Sequence, residues 1–361
     1  MRSFKQFTTL SLTLALSLGF SACGGGGGGD TSSSSNNNEG GTSPTSNTNT
    51  SSGTVTSNKT TFSGVAVDGY ISGGTACLDT NINGLCDSGE PTTPTDTQGK
   101  FTFTDVEVDS GKLISVIVSG GTDTATNKPF QGSMSNIINT DDIAKNKSFT
   151  TSPLTDLVAT SFLASNNKSS ASLAQIKTNV ASSLNLSVEK VDNDPMQDKE
   201  VFAKAQEVQQ TKKLILTAAT KAANGSLNAE ELTKSVREAI STSVQTGTTL
   251  NSTDVITKLK EIHSTVSIQS NETDFIANQT TEIKSVLATI VTDTTITADT
   301  LDQQESNLIT AVETASVKIE DATDGSVITV VKVSPSNTAT AQTPTTPIAT
   351  AIPTPPAVPA L

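Results

Sequence analysis

The chain has 361 residues, enough for two domains, with a formal net charge of −13 and a pI near 4.5. So acidic a chain repels phosphate backbones, which argues against nucleic acid as a partner. Hydrophobic residues make up 34 %, aromatics 3 %, and Trp is absent, so a core has to be assembled from Val, Ile, Leu, Ala and Phe, and a sugar-binding cleft walled by large rings is disfavoured.

The N-terminus reads as an export address. Arg2 and Lys5 are basic, Phe7 to Phe20 is uncharged and largely apolar, and Ser21-Ala22 are small residues ahead of Cys23. The run is too short to span a bilayer and has the layout of a secretory signal over residues 1–22. Phe20-Ser21-Ala22-Cys23 resembles the lipobox of bacterial lipoproteins, with Phe20 where Leu is usual. The resemblance implies lipidation at Cys23 and anchoring to a membrane through acyl chains, two or more of which hold stably where one does not. Gly24 rather than Asp after the cysteine implies the outer membrane or cell surface. The alternative is an ordinary signal peptide that leaves Cys23 a free thiol. No later segment reads as apolar enough to cross a bilayer.

Residues 23–59 are Gly, Ser, Asn and Thr with almost nothing apolar, and are expected to be a disordered tether. Such a segment cannot bury enough surface to offset its ordering entropy. As a flexible coil it spans on the order of 30–35 Å.

From residue 60 the pattern alternates with period two. Val65 and Val67, Ala76 and Leu78, Phe101 and Phe103, and the β-branched run Leu113 to Val118 are separated by Gly, Asp and Pro turns. That predicts a small all-β sandwich, extended by Phe130 and Met134 to residue 149. From residue 150 to 322 the period turns helical. Stripes such as Leu173/Ile176/Val180/Leu184, Leu232/Val236/Ala239/Ile240 and Leu301/Leu308/Val312/Ala315/Ile319 predict roughly seven helices. Asn224-Gly225 reads as a helix end, Asn228 with Glu231 as a capping box, and Pro195 as a residue of a first helical turn. Val327 to Val333, within 323–334, reads as one last strand. The Thr/Ala/Pro tail 335–361 reads as extended and disordered. The fold class expected is therefore α+β in several parts: a β-sandwich, then an all-α region, with a disordered tether and tail.

One stretch is dense in chemistry. Asp79, Asn81 and Asn83 fall at positions 1, 3 and 5 of a twelve-residue calcium loop, Gly84 at position 6, the carbonyl of Leu85 at 7, Asp87 at 9 and Glu90 at 12. A hard cation takes six to eight oxygens from a compact turn, and calcium is the cofactor this spacing suggests. Three of the ligands are carboxylates, so the affinity expected is about 10⁻⁴–10⁻³ M, as in extracellular modules. The other reading is an Asn/Asp/Gly turn, where these residues are favoured anyway. Ala76 to Leu78 reads as a strand and Pro91-Thr92-Thr93-Pro94 forbids an exiting helix, so the loop resembles an EF-hand in its ligands only.

With Cys23 assigned to lipid, Cys77 and Cys86 are an even pair, expected to form a disulfide in an oxidising compartment. It would close a loop of about ten residues, worth roughly 2.5–3 kcal/mol by chain entropy. Redox chemistry and soft-metal binding are the alternatives; the spacing is not C-x-x-C and no His lies near.

Val67-Asp68-Gly69-Tyr70-Ile71, Cys77 to Pro91, Thr95 to Phe101 and Thr151 to Leu157 together resemble two families. One is the calcium-binding B-type sandwich repeats of Gram-positive adhesins. The other, still closer, is the carboxypeptidase-regulatory-like (transthyretin-like) domains of bacterial surface lipoproteins. The resemblance implies a sandwich, a surface location and metal at the loop, and no reaction.

No catalytic constellation stands out. His263, the only histidine, lies at the edge of a helix face. Asp192, Asp194, Asp198 and Glu200 read either as a cation site or as the start of a helix. The function expected is a structural, adhesion or interaction module, with other surface proteins or glycans as candidate partners. A secreted hydrolase acting on polysaccharide or peptidoglycan, or a carrier of a small apolar ligand, is the alternative.

Overall fold

The computed structural model describes residues 59–335, apart from 146 and 246. The expected signal peptide, the expected lipidation site at Cys23, nearly all of the expected tether and the expected tail after residue 335 lie outside the described residues.

The described residues contain ten strands, the last of them after a short helix: β1 Lys59–Ala66, β2 Ile71–Ser72, β3 Thr75–Asp79, β4 Thr92–Pro94, β5 Lys100–Glu107, β6 Leu113–Ser119, β7 Thr122–Asp123, β8 Lys128–Pro129, β9 Ser133–Asn139 and β10 Phe149–Thr151. They form a β10-β1-β5 sheet, a β4-β3-β6-β9 sheet and a small β2-β7-β8 sheet. All pairings are antiparallel except β1 with β10. The first two sheets enclose one apolar cluster, with Phe62, Phe101 and Phe103 from one side and Leu78, Val116, Val118, Met134 and Ile138 from the other. This is the expected sandwich arrangement.

Two local features explain how the sequence packs there. Gly64 pairs with Phe101 across β1 and β5, and a Cβ on Gly64 would overlap Phe101 Cζ and lie 2.5 Å from the Phe149 carbonyl oxygen. Only glycine lets that ring lie over the strand. In β5 the buried residues run Phe101, Phe103 and then Val106, three apart rather than two. Asp105 at φ +54° accompanies a register shift between Thr60 and Phe62 on β1, a bulge that restores Val106 to the inner face.

The helices are α1 Thr140–Ile143, α2 Pro153–Ala164, α3 Ser170–Leu184, α4 Lys199–Ala223, α5 Ala229–Val244, α6 Ser252–Ile262, α7 Ser270–Thr292 and α8 Leu301–Asp321. α2 to α8 are the seven read from periodicity. Their ends carry the chemistry expected: Asn224 in the left-handed region closes α4, and Asn228 with Glu231 forms a reciprocal capping box on α5. Pro195 is different. It sits in a turn before α4, and Asp198 is the cap, accepting from Glu200 N and Val201 N. No described helix is long and apolar enough to cross a membrane.

Strands and helices belong to one unit. α2 packs on β9, and α4 lies among α2, α5, α7 and α8. In β9, Met134 and Ile138 face the sandwich core whereas Ile137 joins the helical core. That sheet is therefore covered on both faces there, which is why β6 and β9 are nearly continuous buried runs. Val327–Val333 forms no strand. It runs as an extended strap over the helices, held by Gln279, whose side-chain amide bonds both Val331 N (2.7 Å) and Val331 O (2.9 Å).

Candidate metal centre

β3 ends at Asp79, which is fully buried. The chain then turns through Ile82 at φ +55° and Gly84 at φ +82°, the position at which the spacing calls for a glycine. Asp79 closes this bend with both oxygens: Oδ1 accepts from Asn83 N at 3.2 Å and Oδ2 from Gly84 N at 2.9 Å. Burial pushes the Asp79 carboxyl above its usual range; the Gly84, Asn83 and Ile82 N–H groups oppose the shift, and the charge of Glu90 adds to it.

The remaining side chains gather on the same turn. Asn81 Oδ1 accepts from Asn83 N at 2.9 Å, and Asn83 Oδ1 from Leu85 N at 2.8 Å. The amide nitrogens of Asn81 and Asn83 both donate to Asp87 Oδ2, at 2.9 and 2.8 Å. Glu90 reaches back across the loop, accepting from Thr80 N on Oε1 and from Asp87 N on Oε2, both at 2.9 Å. Asp79, Asn81, Asn83, Asp87 and Glu90 thus come together; the Leu85 side chain points outward, 60 % exposed. An amide oxygen that accepts one N–H keeps a second lone pair, so the hydrogen bonds at Asn81 and Asn83 leave both able to ligate. Asp87 Oδ2 already draws two partial positive charges to the place where a cation would sit. The donor types suit a hard, oxygen-seeking ion, but Asp79, Asp87 and Glu90 do not bring one carboxylate oxygen each within 4.8 Å of one another, so a cation would have to draw them together.

Cys77 and Cys86 are joined by a disulfide, with Cα atoms 6.0 Å apart. Their sulfurs lie close to a Glu90 carboxylate oxygen, but bonded sulfur offers no thiolate, so this trio is not a soft-metal site. The bridge anchors the exposed outer half of the loop to buried Cys77 in β3. After Glu90 the chain enters β4, which pairs with β3 at Cys77–Thr92, so strands flank the loop on both sides.

The other residues singled out serve the helices. His263 Nε2 lies 2.7 Å from Ser235 Oγ at the end of α6. Asp192 pairs with Lys177, while Asp198 and Glu200 pair with Lys190. Asp194 accepts from the Tyr70 hydroxyl at 3.2 Å. These four acids do not converge on one point.

Sequence reasoning missed a second polar cluster, around Asp68, Asp123, Asp302, Glu305 and Lys212, between the sandwich and the helices. A signal was present. Glu305 sits on the apolar stripe of α8, four residues after Leu301 and three before Leu308, and Lys212 sits likewise on α4 between Val208 and Ile215. A charge on an apolar stripe marks a place where burial and pairing have to be arranged.

Comparison with protein-family models, curated proteins and solved structures found no match.

Proposed function

We propose that the chain is a lipid-anchored protein of the bacterial outer membrane or cell surface whose loop from Asp79 to Glu90 binds calcium. Its role would be that of a structural, adhesion or interaction module. The observation that carries this reading is the convergence of Asp79, Asn81, Asn83, Asp87 and Glu90 on one turn. The glycine is at the bend, the disulfide at the rim, and the glutamate closes the ring. Lipidation at Cys23 rests on the sequence around that residue, and the acyl chains would supply the membrane contact.

Calcium would add cross-links within the sandwich edge. With strands on both sides, no helix pair is placed to open as in a calcium switch. The test is a thermal melt and calorimetric titration of the full chain with calcium and with EDTA. With Kd of about 10⁻⁴–10⁻³ M, about 10 mM calcium stabilises by about 1.4–2.7 kcal/mol. For a unit this large that raises Tm on the order of 3–10 °C. An unchanged Tm at millimolar calcium overturns the metal assignment.

A further inference from the structure

The turn between β1 and β2 enters the helical region with each of its four residues engaged. Val67 is buried in the helical core. Gln209 Nε2 of α4 donates to Asp68 Oδ2 at 2.6 Å, while Asp68 Oδ1 is buried without a hydrogen-bond partner. Gly69 N–H donates to both oxygens of Glu305 on α8, at 3.1 Å each, and Gln206 Nε2 reaches Glu305 Oε1 at 2.8 Å. The Tyr70 hydroxyl bonds Asp194 and accepts from Gln197. Asp123 of β7 closes the far side, holding Ala125 N and Thr126 Oγ1; a Cβ on Gly69 would overlap Asp123 Oδ1.

This crowds acids. Asp68 feels the charges of Asp123 and of Asp156 on α2, and Glu305 feels those of Asp123, Asp68 and Asp302. The cations are few and mostly spoken for. Lys212 of α4 faces Asp68 and Asp156; Arg237 of α5 is paired to Asp156 at 2.5 Å; Lys128 of β8 faces Asp123 but binds Glu313. A metal ion does not resolve the crowding. Among the described residues the only three metal-donor groups within 4.8 Å of one another are those at the disulfide. Protons remain.

We propose that this seam is a proton-operated lock: Asp68 and Glu305 hold protons while the Val67–Tyr70 turn is docked between α4 and α8, and release them when it withdraws. Burial pushes Asp68 from 3.8 up to about 7; Lys212 opposes this, Asp123 adds to it, Gln209 opposes and Asp156 adds. Glu305, fully buried, is raised well above its ordinary value by burial and then by Asp123, Asp68 and Asp302.

The sign follows from linkage. Below about pH 4 Asp68 is protonated whether docked or solvated, and its contribution to docking is complete. Between pH 4 and 7 only the docked form keeps the proton, so each pH unit favours withdrawal about tenfold. Above pH 7 the contribution of Asp68 is lost, a cumulative change of roughly 10³-fold. Glu305 acts with the same sign. Lys212, lowered by burial, acts with the opposite sign.

Hydrogen exchange on the full chain tests this, with the peptide spanning Val67–Tyr70 compared with the β6–β9 ladder after correction for intrinsic exchange. The turn is expected to lose protection relative to the ladder by one to three orders of magnitude from pH 4.5 to 7.5. In Asp68→Asn that dependence should become shallower, leaving the part carried by Glu305, and a dependence as steep as in the wild-type chain would show that Asp68 takes no part. Protection that is flat or rising over this range in the wild-type chain overturns the proposal. Should the variant not fold, infrared difference spectra of the wild-type chain decide. A protonated buried carboxyl at pH 5.5 that is lost by pH 8 supports the lock, and its absence at pH 5.5 refutes it.

Discussion

Glu90→Gln separates the calcium loop from an ordinary polar turn. Glu90 takes Thr80 N–H on one oxygen and Asp87 N–H on the other, both at 2.9 Å. Glutamine keeps one acceptor and turns an NH₂ toward the other donor, so even without metal the variant should lose about 1–2 kcal/mol. With metal the loss grows, because the two-oxygen ligand is gone. If about 10 mM calcium stabilises the wild-type chain by about 1.4–2.7 kcal/mol and the variant hardly at all, the gap widens to about 2.4–4.7 kcal/mol. Urea denaturation of both full chains, in EDTA and in calcium, measures the four midpoints that give the coupling. Equal calcium shifts in the two proteins would show that Glu90 closes no cation site.

Three further changes probe the frame around the loop. Replacing Cys77 and Cys86 together by Ser should cost roughly 2.5–3 kcal/mol by chain entropy and weaken calcium binding in titration; alkylation of the unreduced chain should find neither thiol free. Gly64→Ala forces a methyl into Phe101 and the Phe149 carbonyl and should destabilise by about 1–3 kcal/mol, read as a fall in urea midpoint with calcium response intact. Lys221→Met leaves Glu272, 2 % exposed and paired to Lys221 at 2.7 Å, buried without its cation. A loss of about 3–5 kcal/mol is expected, with much of it recovered when Glu272→Gln is added.

Much of the fold was legible because its elements repeat. Period two in β5 and the three- and four-residue spacing of α5 report burial directly, and the caps at Asn224 and Asn228 are local chemistry that needs no tertiary partner. The shape of the loop was legible for the same reason: Asp79, Asn81, Asn83, Asp87 and Glu90 lie within twelve residues, so spacing alone places them on one turn. Val327–Val333 misled because a β-branched run announces extended backbone, not a neighbouring strand. Here the partner is the Gln279 side chain. The Gly69–Glu305 contact joins residues 236 positions apart. It depends on which face of α8 meets which sandwich turn, and no local pattern encodes that. Glu305 on an apolar stripe could have flagged the place, though not its partner.

The position of the loop bears on what its order would accomplish. Ile82 packs against the helical core, and a Cβ on Gly84 would stand 2.9 Å from Leu163 Cδ1 at the end of α2. Its other end is fixed in β3, where Asp79 pairs with Ser115 of β6 and Cys77 with Ile117. A disordered loop would therefore loosen two contacts at once, the sheet edge and its seat on α2. Anything that orders it, whether the disulfide or a cation drawn to Asp87 and Glu90, acts on the join between strands and helices as well as on the sandwich. The Val67–Tyr70 turn ties the same two regions together through the carboxylates of Asp68 and the buried Glu305 instead. The join thus has one tie set by bonds and charge at an exposed edge and another set by protons in the interior. Calcium should affect the first, while pH between 4 and 7 acts on the second through Asp68 and Glu305, which share no hydrogen bond with the loop.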